Sequence, residues 1–277
     1  MDPELWGCDF SSAPGRRKPI VLARGWLDCG FVRLERIETF ETLASLGARL
    51  AAPGHWVGGF DLPFGLPREL VETLGWPTGW HDCMRHYAAL ERGEIRAAFA
   101  AFCAGRPVGA KFAHRTTDRP AGSSPSMKWV NPPVAYMMHA GVPLLLDAGV
   151  SLPGLHAADP ARIGLEAYPG LLARSVLGAR SYKSDDKSKQ TPARQLAREE
   201  LLRALLAGEV ALLRDAGLSL GLESHQQAGL VADASGDRLD ALLCMLQAAW
   251  ALRQHRQGHA NWGLPDFDPL EGWIVSA

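Results

Sequence analysis

Five acidic residues occupy positions where carboxylates could act together. Asp9 follows the run Leu-Trp-Gly-Cys, Asp61 follows Trp-Val-Gly-Gly-Phe, and Glu166 follows Ile-Gly-Leu. Asp237 and Asp240 are three positions apart in an apolar pattern typical of a helix, so they share one helix face. Three acids at strand ends and a pair on one helix face are the residue types of a metal-dependent active site.

Carboxylates placed close together repel one another, and burying them is costly unless they are paired or bound to metal. Hard divalent cations with oxygen ligands, Mg²⁺ or Mn²⁺, suit such a cluster. Two ions about 4 Å apart can activate a water and stabilise the leaving oxygen of a phosphoryl displacement. We therefore expect Asp9, Asp61 and Asp240 to be metal ligands of a nuclease or phosphodiesterase, with Asp237 and Glu166 as further catalytic residues.

Each acid also has a purely structural explanation. Asp9 can open the turn at residues 11–15, and Asp61 can begin the proline turn that follows it. Asp237 lies near a predicted helix start, where an acid complements the helix dipole. The pattern alone leaves both interpretations open.

The elements around these acids predict an α/β fold. Short apolar runs at residues 4–10, 19–24 and 31–37 have tight connections, which indicates an antiparallel meander. Further strands are expected at 55–61 and 162–167, and helices at 38–52, 68–74, 81–90, 95–103, 134–142, 171–177, 192–213 and 235–255. This order favours a mixed sheet with helices on both faces. Ligands in such folds gather at the carboxyl ends of parallel strands.

Residues 67–155 are expected to be a helical and loop-rich insertion in a single domain that spans residues 1–277. The long Pro- and Gly-rich loop at 105–133 carries Lys111 and Arg115, which we expect to contact substrate phosphates. The charged run at 183–189 is expected to be an exposed loop. Residues 81–86 have the residue types of a zinc site, but without a second ligand pair they indicate an ordinary amphipathic helix.

Composition narrows the class of protein. The 277 residues are 47% hydrophobic, enough for a large core, and the net charge is -1. Contact with a nucleic acid or nucleotide substrate must therefore depend on a local basic patch or on metal ions. Five scattered cysteines and an N-terminus without an apolar signal region indicate the cytoplasm. The longest apolar runs are too short to span a bilayer, so no membrane association is expected.

Five segments together resemble an uncharacterised family of predicted RNase H-like nucleases, the domain-of-unknown-function family number 429. These are GCDFSSAP, GGFDLPFGLP, GLEAYPGLLAR, GDRLDALLCMLQAAWAL and DPLEGWIV, in that order along the chain. The resemblance implies an RNase H-like sheet whose first three strands are antiparallel and whose other strands are parallel. It also implies that Asp9 lies on the first strand, Asp61 at the end of the fourth, Glu166 on the fifth, and the acid pair on the final helix.

Two other functions remain open at this point. The segment Cys-Asp-Phe-Ser-Ser at residues 8–12 resembles the phosphate turn of ATP-dependent phosphotransferases of the actin or sugar-kinase type. A second phosphate turn and an adenosine-binding segment are not evident. The chain could instead be a non-catalytic binding module whose acids serve structure. Mg²⁺-dependent ATP binding would indicate the phosphotransferase. Absence of divalent-metal binding would indicate the binding module.

Overall fold

Three strands at the start of the chain form an antiparallel meander. The computed structural model describes residues 2–277 and places β1 at Glu4–Asp9, β2 at Ile20–Asp28 and β3 at Phe31–Phe40. β1 pairs with β2, and β2 pairs with β3, both antiparallel. The predicted meander is confirmed, although β2 and β3 each extend further than their apolar runs indicated.

The remaining strands add to the meander in parallel. β4 (Trp56–Phe60) pairs with β1, β6 (Asp159–Glu166) with β4, and the short β5 (Val150–Ser151) with β6. At the other edge, β7 (Ser219–Gly221) pairs with β3. The seven-stranded sheet has the order β5-β6-β4-β1-β2-β3-β7. This confirms the predicted α/β class with a mixed sheet, and it is consistent with an RNase H-like fold.

Helices cover both faces of the sheet, as predicted. They are α1 (Leu43–Ala51), α2 (Arg68–Thr73), α3 (Trp80–Ala89), α4 (Arg92–Ala104), α5 (Asp118–Ala121), α6 (Val134–Asp147), α7 (Pro169–Leu177), α8 (Pro192–Leu206), α9 (Ala211–Asp215), α10 (Ser224–Ala232) and α11 (Asp237–Arg256). One face packs against α7 to α11, and the other against α1 to α4 and α6. Within residues 2–277, none of these helices is long and apolar enough to cross a membrane.

Two glycines let α11 lie directly on the sheet. A Cβ atom at Gly7 of β1 would be 2.1 Å from the Ala241 carbonyl oxygen and 2.1 Å from the Met245 amide nitrogen. A Cβ atom at Gly59 of β4 would be 2.4 Å from the Cys244 carbonyl oxygen. The backbones of helix and strands can therefore approach as closely as they do only because these positions lack side chains. This approach brings the first turn of α11 to the carboxyl ends of β1 and β4.

Gly7→Ala is expected to destabilise the protein by roughly 1–3 kcal/mol or more, because the added methyl group meets helix backbone that cannot move aside cheaply. The measurement is the free energy of unfolding from urea denaturation. Gly93→Ala is the matched control, since Gly93 is in helix α4 and a Cβ there meets nothing within 4 Å. Equal stability of the two variants would contradict this account of how α11 is seated.

Some predicted boundaries are wrong for identifiable reasons. The helix expected at 38–52 begins only at Leu43, because residues up to Phe40 pair with β2 and the Thr42 side chain caps the helix. The helix expected at 192–213 is two helices separated by Gly208, whose φ of +69° does not continue a helix. β5, β7, α10 and the single-turn helix α5, which lies in the predicted loop, were not predicted. The two strands are too short to show a period of two.

Candidate metal centre

Three carboxylates from different elements meet at one edge of the sheet. Asp9 ends β1, and Asp61 directly follows β4, its parallel neighbour. Because side chains alternate along a strand, Asp9 shares a face with Leu5, and Asp61 with Val57, both in the core beside α11. The first turn of α11 supplies Asp240. One oxygen from each of the three carboxylates lies within 4.8 Å of the others, as the sequence led us to expect.

The cluster concentrates negative charge in a desolvated place. Asp240 is fully buried, and Asp9 is 8% exposed. Burial and the charge of Asp240 raise the pKa of Asp9 well above its usual range. Burial raises the pKa of Asp61 to about 7, with the charge of Lys183 opposing the rise and that of Asp240 adding to it. The cation beside the cluster therefore leaves much of its negative charge uncompensated.

That cation comes from a loop that the sequence predicted to be exposed. The Tyr182 hydroxyl donates a hydrogen bond to Asp240 Oδ1 at 2.5 Å, and the Lys183 ammonium donates to Asp240 Oδ2. Burial lowers the pKa of Lys183, but the charges of Asp240, Tyr182 and Asp9 together outweigh burial, and the pKa is raised well above the usual value. Residues 185–189 are exposed, which confirms the prediction for that part of the run. Lys183 is half-exposed, and its contact with Asp240 was not predicted.

One sequence signal could have located this contact. Tyr182 is the only apolar side chain between residues 180 and 191, and it is buried at 8% exposure. A single aromatic in a charged run is expected to seek the core, and burial of a tyrosine requires a partner for its hydroxyl. Here that partner is Asp240. Because Lys183 follows Tyr182 in the chain, the burial of Tyr182 also places Lys183 beside Asp240.

Asp237 lies one helical turn before Asp240 and outside the group of three. It is 7% exposed, and burial raises its pKa while the charges of Lys18 and Lys183 oppose that rise. Its own charge contributes to the raised pKa of Asp9. Asp237 is therefore electrostatically part of the site, although it is further from the meeting point of the three carboxylates.

Glu166 lies at the same edge but on the opposite face. It is paired in register with Phe60, the residue before Asp61, so alternation along the strands directs the two acids to different faces. The guanidinium of Arg115 donates to both Glu166 oxygens, at 2.7 and 2.8 Å, and to Asp118 Oδ1 at 2.9 Å. Glu166 also stands on the sixth strand along the chain, since the short β5 precedes it. Its catalytic role stays a prediction.

The two loop cations proposed to bind phosphate differ in their surroundings. Lys111 is exposed, whereas Arg115 is 2% exposed and occupied by its carboxylate partners and the Glu271 carbonyl oxygen. A cavity of about 80 Å³ between Asp61 and Tyr168 is lined partly by Arg115. Substrate contact by either residue stays a prediction. The evident role of Arg115 is to neutralise buried acids.

The donor set fits a hard divalent cation. All three ligand groups are carboxylates, and oxygens on opposite sides of an Mg²⁺ octahedron are about 4 Å apart, given bonds of about 2.1 Å. The oxygens of Asp9, Asp61 and Asp240 lie within 4.8 Å of one another, slightly more than this span, so a small rotation of the side chains would bring them onto one ion. Repulsion from Asp240 adds to the effect of burial in raising the pKa values of Asp9 and Asp61, and a bound cation would relieve that repulsion.

The fold and the site define the class of this protein: an α/β chain with a mixed seven-stranded sheet and a buried aspartate cluster at its edge. No protein-family model, curated protein sequence or solved structure matches the chain. The resemblance to the RNase H-like nuclease family therefore stays a prediction.

Proposed function

We propose that this protein is a divalent-metal-dependent phosphodiesterase of the nuclease type. The observation that supports the proposal most is the convergence of Asp9, Asp61 and Asp240 within 4.8 Å. Bound there, Mg²⁺ or Mn²⁺ would supply an activated water and stabilise the leaving oxygen of a phosphodiester. Asp237 and Glu166 are proposed as supporting catalytic residues.

The chain's own residues preorganise this site. Asp9 and Asp61 are held by neighbouring strands, and Asp240 by a helix packed on those strands, so no loop has to close to assemble the ligands. Asp240 is also oriented by its hydrogen bond from Tyr182. Rigid placement of this kind lowers the entropy that metal and substrate binding would otherwise cost.

Basic side chains beside the cluster support a substrate that carries phosphate. The loop after β1 holds Arg16, Arg17 and Lys18, all exposed. Lys18 forms an ion pair with Asp185 at 2.5 Å, which joins this loop to the one that carries Lys183. Lys18 also acts on the charge of Asp237, and we propose that these cations belong to the local patch that a nearly neutral protein requires to bind a nucleic acid or nucleotide. We expect Lys111 to contribute from the long loop.

The direct test is a calorimetric titration with Mn²⁺ of the wild type and of a double variant, Asp9→Asn with Asp240→Asn. We expect the wild type to bind and the double variant to lose binding, because two of the three carboxylate ligands lose their charge. The matched control is Asp82→Asn with Asp215→Asn. It removes two exposed carboxylates of side-chain exposure 76% and 68%, and it should bind Mn²⁺ as the wild type does.

The same variants separate the alternative functions. If Mn²⁺ binds, hydrolysis of bis(p-nitrophenyl) phosphate, DNA and RNA should require the metal, and Asp9→Asn should abolish it while leaving the fold intact. A wild type that binds no divalent metal would support the binding module instead. Tight Mg²⁺-dependent binding of ATP, without hydrolysis of phosphodiesters, would support the phosphotransferase.

The cytoplasm is the proposed location. All five cysteines are free, and four of them are buried in the core. Unpaired buried thiols are typical of proteins that work in a reducing compartment. The proposed substrates, nucleic acids and nucleotides, are consistent with this placement.

A further inference from the structure

Both oxygens of Asp240 are already engaged by the protein. Tyr182 donates to one of them and the Lys183 ammonium to the other, and the Asp240 side chain has no exposed surface. A carboxylate oxygen has a second lone pair, so it can bind a metal ion while it accepts one hydrogen bond. A charged donor is different, because an ammonium and a divalent cation on one carboxylate repel each other.

Lys183 is the donor that is free to leave. Its side chain is 39% exposed, whereas Tyr182 is buried. A lysine side chain has a flexible four-carbon stem and a point charge that water solvates well, so it can move outward when an arriving metal ion replaces its charge at Asp240. Moving Tyr182 would expose its ring and leave Asp240 Oδ1 without its hydrogen-bond donor.

The backbone around Lys183 is fixed on both sides. The Tyr182 carbonyl oxygen accepts a hydrogen bond of 2.8 Å from the buried Arg198, and the Ser184 amide donates to the Ala234 carbonyl oxygen at 3.2 Å. The Lys183 side chain also crosses Gly236, where a Cβ would come within 2.6 Å of it. Any displacement is therefore confined to the lysine side chain, and the ammonium stays tethered at the rim of the cluster.

We propose that Lys183 is a tethered counter-ion that holds the carboxylate cluster in the metal-free protein and is displaced when a divalent ion binds. This inference rests on the proposed function. An ammonium and a divalent cation on the same carboxylate repel each other strongly in a buried site, so only one can occupy it. Lys183 thereby lowers the apparent affinity for metal and offsets part of the negative charge of the three carboxylates until metal is available.

The test is an Mn²⁺ titration by calorimetry of the wild type, Lys183→Met and Lys183→Gln. Removal of the competitor is expected to tighten Mn²⁺ binding by about tenfold, if the lysine occupies the cluster about nine-tenths of the time. Lys187→Met is the matched control, because Lys187 is exposed in the same loop and should leave the affinity unchanged. If Lys183→Met does not fold, Lys183→Gln can still be titrated and tests the same prediction.

A second readout is the melting temperature of each protein with and without metal. In EDTA at pH 8 the Lys183 variants should melt at a lower temperature than the wild type, and Mn²⁺ should raise their melting temperature more than it raises that of the wild type. Equal or weaker Mn²⁺ affinity in both Lys183 variants would overturn the counter-ion role while leaving the metal site standing. Absence of Mn²⁺ binding in the wild type and in both variants would overturn the metal site and the counter-ion role together.

Discussion

Asp61→Asn is expected to make the metal-free protein more stable than the wild type at pH 8, by an amount on the order of 2–4 kcal/mol. Burial raises the pKa of Asp61 to about 7 in the folded protein, against about 3.9 in an unfolded chain. Between these values the folded state holds a proton that the unfolded state has released. Wild-type stability therefore falls as pH rises from about 4 to about 7, and the asparagine variant escapes that loss.

The measurement is urea denaturation in EDTA at several pH values between 4 and 8, with the wild type and the variant compared at each. The two stabilities should converge near pH 4, where Asp61 is protonated in both states. Asp82→Asn, on an exposed carboxylate, should show no such divergence. Saturating Mn²⁺ should reverse the order at pH 8, because the ion stabilises only the protein that keeps its ligand. If Asp61→Asn were no more stable than the wild type at pH 8 in EDTA, the proposed destabilising charge on Asp61 would be contradicted.

Arg115→Met is expected to destabilise the protein by about 3–5 kcal/mol, the cost of breaking a buried ion pair by removing one partner. The side chains of Arg115, Asp118 and Glu166 are 1%, 0% and 3% exposed, so the two acids would be left buried without their cation. Methionine keeps much of the volume of the arginine stem. The loss would therefore report charge and hydrogen bonding rather than an empty cavity.

Arg180→Met provides the matched control for this variant. Arg180 also donates to both oxygens of a glutamate, Glu200, at 2.6 and 2.7 Å, but the two side chains are 57% and 36% exposed. A solvated pair of this kind contributes at most about 1 kcal/mol. Comparable losses in the two variants, measured as free energies of unfolding in urea, would contradict the structural role assigned to Arg115.

Local sequence patterns are enough to predict which elements carry the site. Asp9 and Asp61 each end an apolar run, and parallel strands bring their carboxyl ends to one edge, so their meeting follows from local pattern and strand order. The spacing of Asp237 and Asp240 placed both on one face of a helix. The antiparallel meander and the mixed sheet followed from the lengths of the connections and the alternation of strands with helices.

Which acids share the site, and which cations pair with them, depends on how the elements pack against one another. Glu166 belongs to the opposite face because its strand pairs with β4 in one particular register, and a shift of one residue would have reversed that result. Lys183 reaches Asp240, and Arg115 reaches Glu166, across 57 and 51 residues of chain. Periodicity describes one element at a time, whereas contacts between distant loops depend on how the elements pack. These charge pairs therefore leave almost no trace in the local sequence.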